Sequence, residues 1–72
     1  MILVLSGKTL KGKNKIREHG NAWEIIESRD SCLCLNYKAG FMIRPVSSKF
    51  KYEHSRWICQ ENDFDFEIIE RQ

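Results

Sequence analysis

Apolar and polar side chains alternate along several short segments of this chain of 72 residues. Such alternation is typical of β-strands, because successive side chains point to opposite faces of a sheet. The pattern predicts five or six short strands, over residues 1–5, 22–28, 32–37, 41–46, 56–60 and 64–68. Turn-forming residues separate them at intervals of about eight to twelve positions, which is typical of small all-β folds. We therefore expect one all-β domain, residues 1–72, folded as a small five-stranded barrel.

The same alternation predicts which side chains are buried, because one face of each strand must cover the core. Both tryptophans fall on predicted strands, where large rings usually fill the interior of a small domain. The acids of the last segment, Asp65 and Glu67, should face water. Pro45 lacks an amide hydrogen, so its strand should lie at a sheet edge or end there. The predicted core includes Trp23, Leu33, Leu35, Tyr37, Trp57, Phe64, Phe66 and Ile68.

Residues 22–29 allow a second interpretation, in which they form a short helix. Asn21 would cap that helix and Glu24, three residues later, would complete a capping box. The fold would then be α+β. The turn-forming residues 29–31 would end the helix early, so the strand fits the pattern better.

Residues 8–19, KTLKGKNKIREH, contain a regular series of cations. If this segment is extended, its alternate positions project to one side, where Lys11, Lys13, Lys15 and Arg17 would form a row of positive charge. Cations spaced in this way can follow successive phosphates and gain affinity by releasing counterions. The alternative is a solvated loop or edge strand on which lysine maintains solubility and prevents aggregation.

A second basic segment, residues 47–55, interleaves aromatic and cationic side chains. Exposed Phe50 or Tyr52 could stack on unpaired bases, as aromatic side chains do in proteins that bind single strands. The candidate nucleic-acid contacts of both segments are Lys8, Lys11, Lys13, Lys15, Arg17, Lys49, Phe50, Lys51 and Tyr52.

Charge is distributed unevenly along the chain, although the formal net charge is only +2. Residues 1–19 hold five Lys or Arg and one acid, whereas residues 61–72 hold five acids and one Arg. A molecule with a basic end and an acidic end can steer a charged partner or associate head to tail with itself.

The cysteines and histidines are poorly placed to bind a metal ion or to act in acid–base catalysis. The C-x-C pair of Cys32 and Cys34 lacks the two knuckle-spaced pairs of a structural zinc site, and Cys59 stands apart. His19 and His54 each follow a glutamate, and neighbours on a strand point to opposite faces. We expect no cofactor, no metal and no enzymatic activity.

Three cysteines cannot pair completely, which argues against a secreted disulfide scaffold and favours reduced thiols in the cytoplasm. The apolar run at residues 1–5 is too short for a membrane span and lacks the features of a signal peptide. We therefore expect a cytoplasmic protein that does not enter a membrane.

The string GKTLKGKN at residues 7–14, followed by REHG at 17–20 and Trp23-Glu24, resembles a pattern in short, uncharacterised bacterial and phage proteins. Residues 44–45, 56–57 and 65–68 extend the resemblance over most of the chain. It implies a prokaryotic or viral source and no particular activity. The strand order and loop lengths are similar in architecture to those of SH3-like barrels.

These observations predict a non-enzymatic binding module that contacts RNA or DNA phosphates through the basic extended segment. The alternative is a protein-binding adaptor, or a phage-type inhibitor of a host protein, that meets an acidic protein surface or pairs an edge strand with its target.

Overall fold

The computed structural model describes residues 1–32, 34–36 and 38–72. Five antiparallel strands form one sheet in the order β4-β3-β2-β1-β5, and the sheet curls into a half-barrel that carries one short helix. The elements are β1 (Ile2–Gly7), α1 (Leu10–His19), β2 (Ala22–Arg29), β3 (Gly40–Pro45), β4 (Arg56–Cys59) and β5 (Phe66–Arg71). The prediction of a small five-stranded β domain is therefore confirmed, although one helix makes the fold mostly β rather than all-β.

The core receives a side chain from every strand. Trp23 is fully buried, and its indole Nε1 donates a hydrogen bond of 3.0 Å to the Gly20 carbonyl, so its polar atom is satisfied. Trp57 is only half-buried and lies beneath the Arg29 guanidinium, 4.6 Å from the ring centroid. The buried hydrophobic residues are Leu3, Leu5, Trp23, Ile43, Ile58 and Phe66.

Residues 10–19 form a helix, so the prediction of an extended basic segment is wrong. Thr9 caps the helix, since its hydroxyl accepts a hydrogen bond of 3.1 Å from the Gly12 amide. Gly20 ends it with a positive φ of 84°, and its amide donates to the Ile16 carbonyl. Buried Gly12 lies where a Cβ would overlap the Asp65 carbonyl, so glycine allows α1 to pack this closely.

The strand at 22–29 is confirmed, and the alternative helix there is wrong. Six of its eight residues pair with β3 on one side, and its first three residues pair with β1 on the other. β3 ends at Pro45, as predicted, but it lies inside the sheet between β4 and β2.

Two other burial predictions are corrected. Residues 34–36 form a turn in which Leu35 is 70% exposed, so Leu35 is not in the core. The predictions for Leu33 and Tyr37 lie outside the described residues. The last strand begins at Phe66, and the preceding alternation is reversed, because Phe64 is 80% exposed whereas Asp65 is buried.

Candidate nucleic-acid interface

Helical geometry divides the cations of residues 11–17 into two pairs. Two positions along an α-helix correspond to a rotation of about 200°, so alternate residues point to nearly opposite sides. Lys11 and Lys15, four residues apart, share one flank of α1, while Lys13 and Arg17 share the other. Gly12 and Ile16 lie between the two flanks and face the sheet. The predicted single row of four cations is therefore wrong.

The flank with Lys11 and Lys15 is called here the Lys11–Lys15 flank. At the N-terminal end of this flank, the positive charge of Lys11 helps to lower the pKa of Asp65. Arg56 Nη2 donates to the Asp65 carboxylate at 3.4 Å. His19 lies four residues after Lys15, at the C-terminal end of the same flank. The centroid of its ring is 4.4 Å from the centroid of the His54 ring. The helix thus brings Lys15, which lies between these positions, towards the second basic segment.

The opposite flank faces β1 and the end of β5. Lys13 lines a cleft with Val4, Ile16 and Ile69. Arg17 Nη2 donates a hydrogen bond of 2.9 Å to the side-chain oxygen of Asn14 on the helix itself. Lys13 and Arg17 therefore do not join the surface formed by Lys11 and Lys15.

Residues 46–55, called here the aromatic–basic loop, expose the rings that the sequence singled out. Phe50 is 71% exposed and Tyr52 is 56% exposed. Lys49 and Lys51 are exposed too, and the Lys51 ammonium lies 5.4 Å from the Tyr52 ring centroid. Both rings are therefore accessible for stacking.

Arg44 anchors this loop to the sheet. Its Nη1 donates to the carbonyl oxygens of Ser48 and Phe50, at 3.1 and 3.4 Å. Its Nε and Nη2 donate to one carboxylate oxygen of Glu24, at 3.0 and 2.8 Å. Inside the loop, Ser48 Oγ donates to the Glu53 carbonyl at 3.1 Å. The loop is held by defined contacts at its base while its rings point to solvent.

Lys8, which the sequence suggested as an outlying phosphate contact, is engaged within the protein. Its ammonium donates a hydrogen bond of 2.8 Å to the Asp63 carbonyl, and its backbone amide donates to the Asp65 carbonyl at 2.7 Å. These contacts join the end of β1 to the turn before β5, so we assign Lys8 a structural role.

Asp63 and Asp65 hold the turn that precedes β5. The Asp63 carboxylate accepts hydrogen bonds from the amides of Cys59, Asp65 and Phe66. The Asp65 carboxylate accepts from Thr9 Oγ1 at 2.7 Å, and this bond is the main cause of the lowered pKa of Asp65. Burial opposes the lowering, whereas Arg56 and Lys11 add to it. Sequence reasoning missed these two acids because alternation alone placed Asp65 in water.

Both histidines lie within reach of their neighbouring glutamates, contrary to the expectation that such neighbours diverge. His19 Nε2 is 3.6 Å from Glu18 Oε2, and His54 Nε2 is 3.4 Å from Glu53 Oε1. His19 ends a helix and His54 adopts a positive φ of 58°, so the opposite-face rule for strands applies to neither. No local sequence signal could have paired these two histidines, because they are distant in the chain.

Among the described residues, no group of three or more His, Cys, Asp or Glu is arranged to hold a metal ion. The three cysteines are free. In the part of the chain that the structure describes, no helix has the length and apolar character needed to cross a bilayer.

Comparison of the chain with protein-family models, with curated proteins and with solved structures finds no match.

Proposed function

We propose that this protein is a non-enzymatic binding module that holds single-stranded RNA or DNA. The Lys11–Lys15 flank and the aromatic–basic loop form the interface. The half-barrel is an SH3-like small barrel in this proposal, and the free cysteines suit a reducing compartment such as the cytoplasm.

The observation that carries the proposal is the exposure of Phe50 and Tyr52, which alternate along the loop with exposed Lys49 and Lys51. A flat aromatic ring in water can stack on a base of any sequence, while neighbouring ammonium groups meet the phosphates. Unpaired bases are needed for such stacking, so single strands fit this surface better than a duplex does. The contact between His19 and His54 brings the Lys11–Lys15 flank beside the loop and extends the cationic surface.

Near this surface the four lysines outnumber the two glutamates, and the third carboxylate, that of Asp65, is already engaged. Asp65 is buried and bound by Thr9 and Arg56. Glu18 and Glu53 lie beside the histidines. Lys11, Lys49 and Lys51 extend into solvent, which leaves a net positive surface for a polyanion.

Fluorescence anisotropy with a labelled single-stranded oligonucleotide of mixed sequence tests the proposal. Four lysine–phosphate contacts predict a slope of about −2.8 in log K against log salt for a single strand, which is roughly a 50-fold loss between about 50 and 200 mM salt. Replacing Phe50 and Tyr52 by alanine should weaken binding by roughly tenfold or more, since each stacked base contributes about 1–3 kcal/mol. The proposal would be rejected by an affinity that does not change with salt concentration, or by the absence of binding at about 10 μM protein at low salt.

One observation favours the second candidate, a protein-binding adaptor or an inhibitor of a host protein. Phe64 is 80% exposed, yet both of its neighbours, Asp63 and Asp65, are buried and hydrogen-bonded. A large apolar ring presented by a fixed turn is typical of the anchor residues of protein interfaces. A pull-down from nuclease-treated bacterial lysate distinguishes the candidates. A partner protein that the parent chain still captures after nuclease treatment, and that the Phe64→Ser variant no longer captures, would favour the adaptor.

A further inference from the structure

The rings of His19 and His54 form a contact between the end of α1 and the aromatic–basic loop. Their centroids are 4.4 Å apart and their planes are inclined by 33°. The His19 side chain is only 15% exposed. Its ring packs in a T-shaped arrangement with the ring of Trp23, with 6.1 Å between the centroids. The His54 side chain is 49% exposed, and its backbone adopts the left-handed conformation that residues with a Cβ rarely occupy. Backbone angles of this kind are concentrated at binding sites and switch regions.

Few other contacts hold this part of the loop to the helix. Ser47 Oγ lies 3.5 Å from the His19 carbonyl, at the limit of a hydrogen bond. The remaining hydrogen bonds of the loop run to the Arg44 side chain, to β2 through the Val46 amide, to the Pro45 carbonyl at the end of β3 through the Ser48 amide, or within the loop itself. The loop would therefore keep its internal structure if the ring contact were lost.

The charged groups around the two rings determine how protonation affects the contact. Glu18 is the carboxylate beside His19, and Glu53 is the carboxylate beside His54. Lys15 lies one turn before His19 on the same flank of α1, and the helix C-terminus presents its carbonyl oxygens there. The facing side of β2 contributes the uncharged ring of Trp23.

The two glutamate–histidine pairs do not depend on the contact between helix and loop. Each joins residues adjacent in sequence, so each persists when the loop moves away from the helix. The repulsion between two imidazolium rings exists only while the rings are together. Closure therefore places two like charges side by side only when both rings are protonated.

We propose that the His19–His54 contact is a pH-dependent clasp. It holds the aromatic–basic loop against the C-terminal end of α1 while at least one ring is neutral, and it opens when both rings are protonated. This proposal does not depend on nucleic-acid binding.

Nuclear magnetic resonance of the isotopically labelled chain, without any oligonucleotide, tests the clasp. Between about pH 8 and pH 5, histidines change protonation while most glutamates remain charged. Two signals should change together as the second histidine is protonated: cross-relaxation between the two rings should be lost, and the amides of residues 17–20 and 47–55 should shift. The Trp23 indole signal should stay dispersed throughout, because the core remains folded.

His54→Phe is the matched variant, since it keeps an aromatic ring that cannot be protonated and retains both glutamates. In this variant the cross-relaxation between positions 19 and 54 should persist at pH 5, and the loop amides should become insensitive to pH. His19→Phe is the reciprocal variant if the first does not fold. Persistence of the ring contact at pH 5 in the unmodified chain would overturn the proposal. Equal loop shifts in the chain and in the phenylalanine variant would also overturn it.

Discussion

Thr9 and Asp65, separated by 56 positions in the chain, are joined by a hydrogen bond of 2.7 Å between their side chains. The same hydroxyl accepts the amide of Gly12, so one threonine both begins α1 and attaches it to the turn before β5. This bond explains why a helix of ten residues is stable on so small a sheet, since short helices depend on tertiary contacts.

Asp65→Asn should destabilise the protein in a manner that depends on pH. The pKa of Asp65 is lowered in the folded state, so its stabilising contribution is complete above the unfolded pKa and is lost as pH falls through the folded value. At neutral pH we expect a loss of roughly 1–3 kcal/mol, because the bonds from Thr9 and Arg56 lose their charged acceptor. The difference in melting temperature between the two proteins should narrow in acid. The control variant Glu67→Gln, at an exposed position, should have a melting temperature close to that of the parent at every pH.

Gly12→Ala should destabilise α1, although alanine normally stabilises a helix interior by about 1 kcal/mol relative to glycine. The added Cβ would overlap the Asp65 carbonyl, which is backbone and cannot move freely. Overpacking of this kind costs about 1–3 kcal/mol. Denaturant unfolding measures the sign of the change in the free energy of unfolding. In the control variant Leu10→Ala, at an exposed position, this free energy should stay within about 0.5 kcal/mol of the parent value. A more stable Gly12→Ala protein would contradict the close packing of α1.

Phe64 and Phe66 should respond very differently to truncation, although the sequence assigns them to one face. Phe66 is 1% exposed and Phe64 is 80% exposed. Phe66→Ala should cost about 3–5 kcal/mol, which is enough to unfold much of so small a domain. Phe64→Ala should change stability by less than about 0.5 kcal/mol. Thermal melts followed by circular dichroism compare the two, and equal losses would refute the observed beginning of β5.

Alternation predicted most strands because their buried faces keep a period of two. β2 and β3 were located well by this rule, and Trp23 lies in the core as expected. It failed at Leu35, where a turn exposes an apolar side chain, and at Asp65, where hydrogen bonds rather than hydrophobicity determine burial. A polar side chain with buried partners from a distant segment leaves no periodic signal in its own segment.

The helix was missed because cations that alternate in sequence satisfy a strand pattern and are equally compatible with a solvated helix. Local signals for the helix were present: Thr9 as a cap, Ile16 four positions after buried Gly12, and Gly20 after the last turn. Glycine in a basic segment suggests a bend as readily as close packing, and Gly12 is the position where α1 contacts the Asp65 backbone. Distinguishing these uses of glycine requires knowledge of what packs against it.

Lys11 and Lys15 belong to the proposed binding surface, whereas Lys13 and Arg17 do not. Two double variants, Lys11→Glu with Lys15→Glu and Lys13→Glu with Arg17→Glu, change the net charge equally and differ only in the flank of α1 that they reverse. We measure the affinity of both for one labelled single-stranded oligonucleotide at the same salt, after circular dichroism confirms that both fold. The first variant should lose at least roughly tenfold in affinity and the second less than about threefold. Equal losses in both variants, or a larger loss in the second, would contradict the proposed interface.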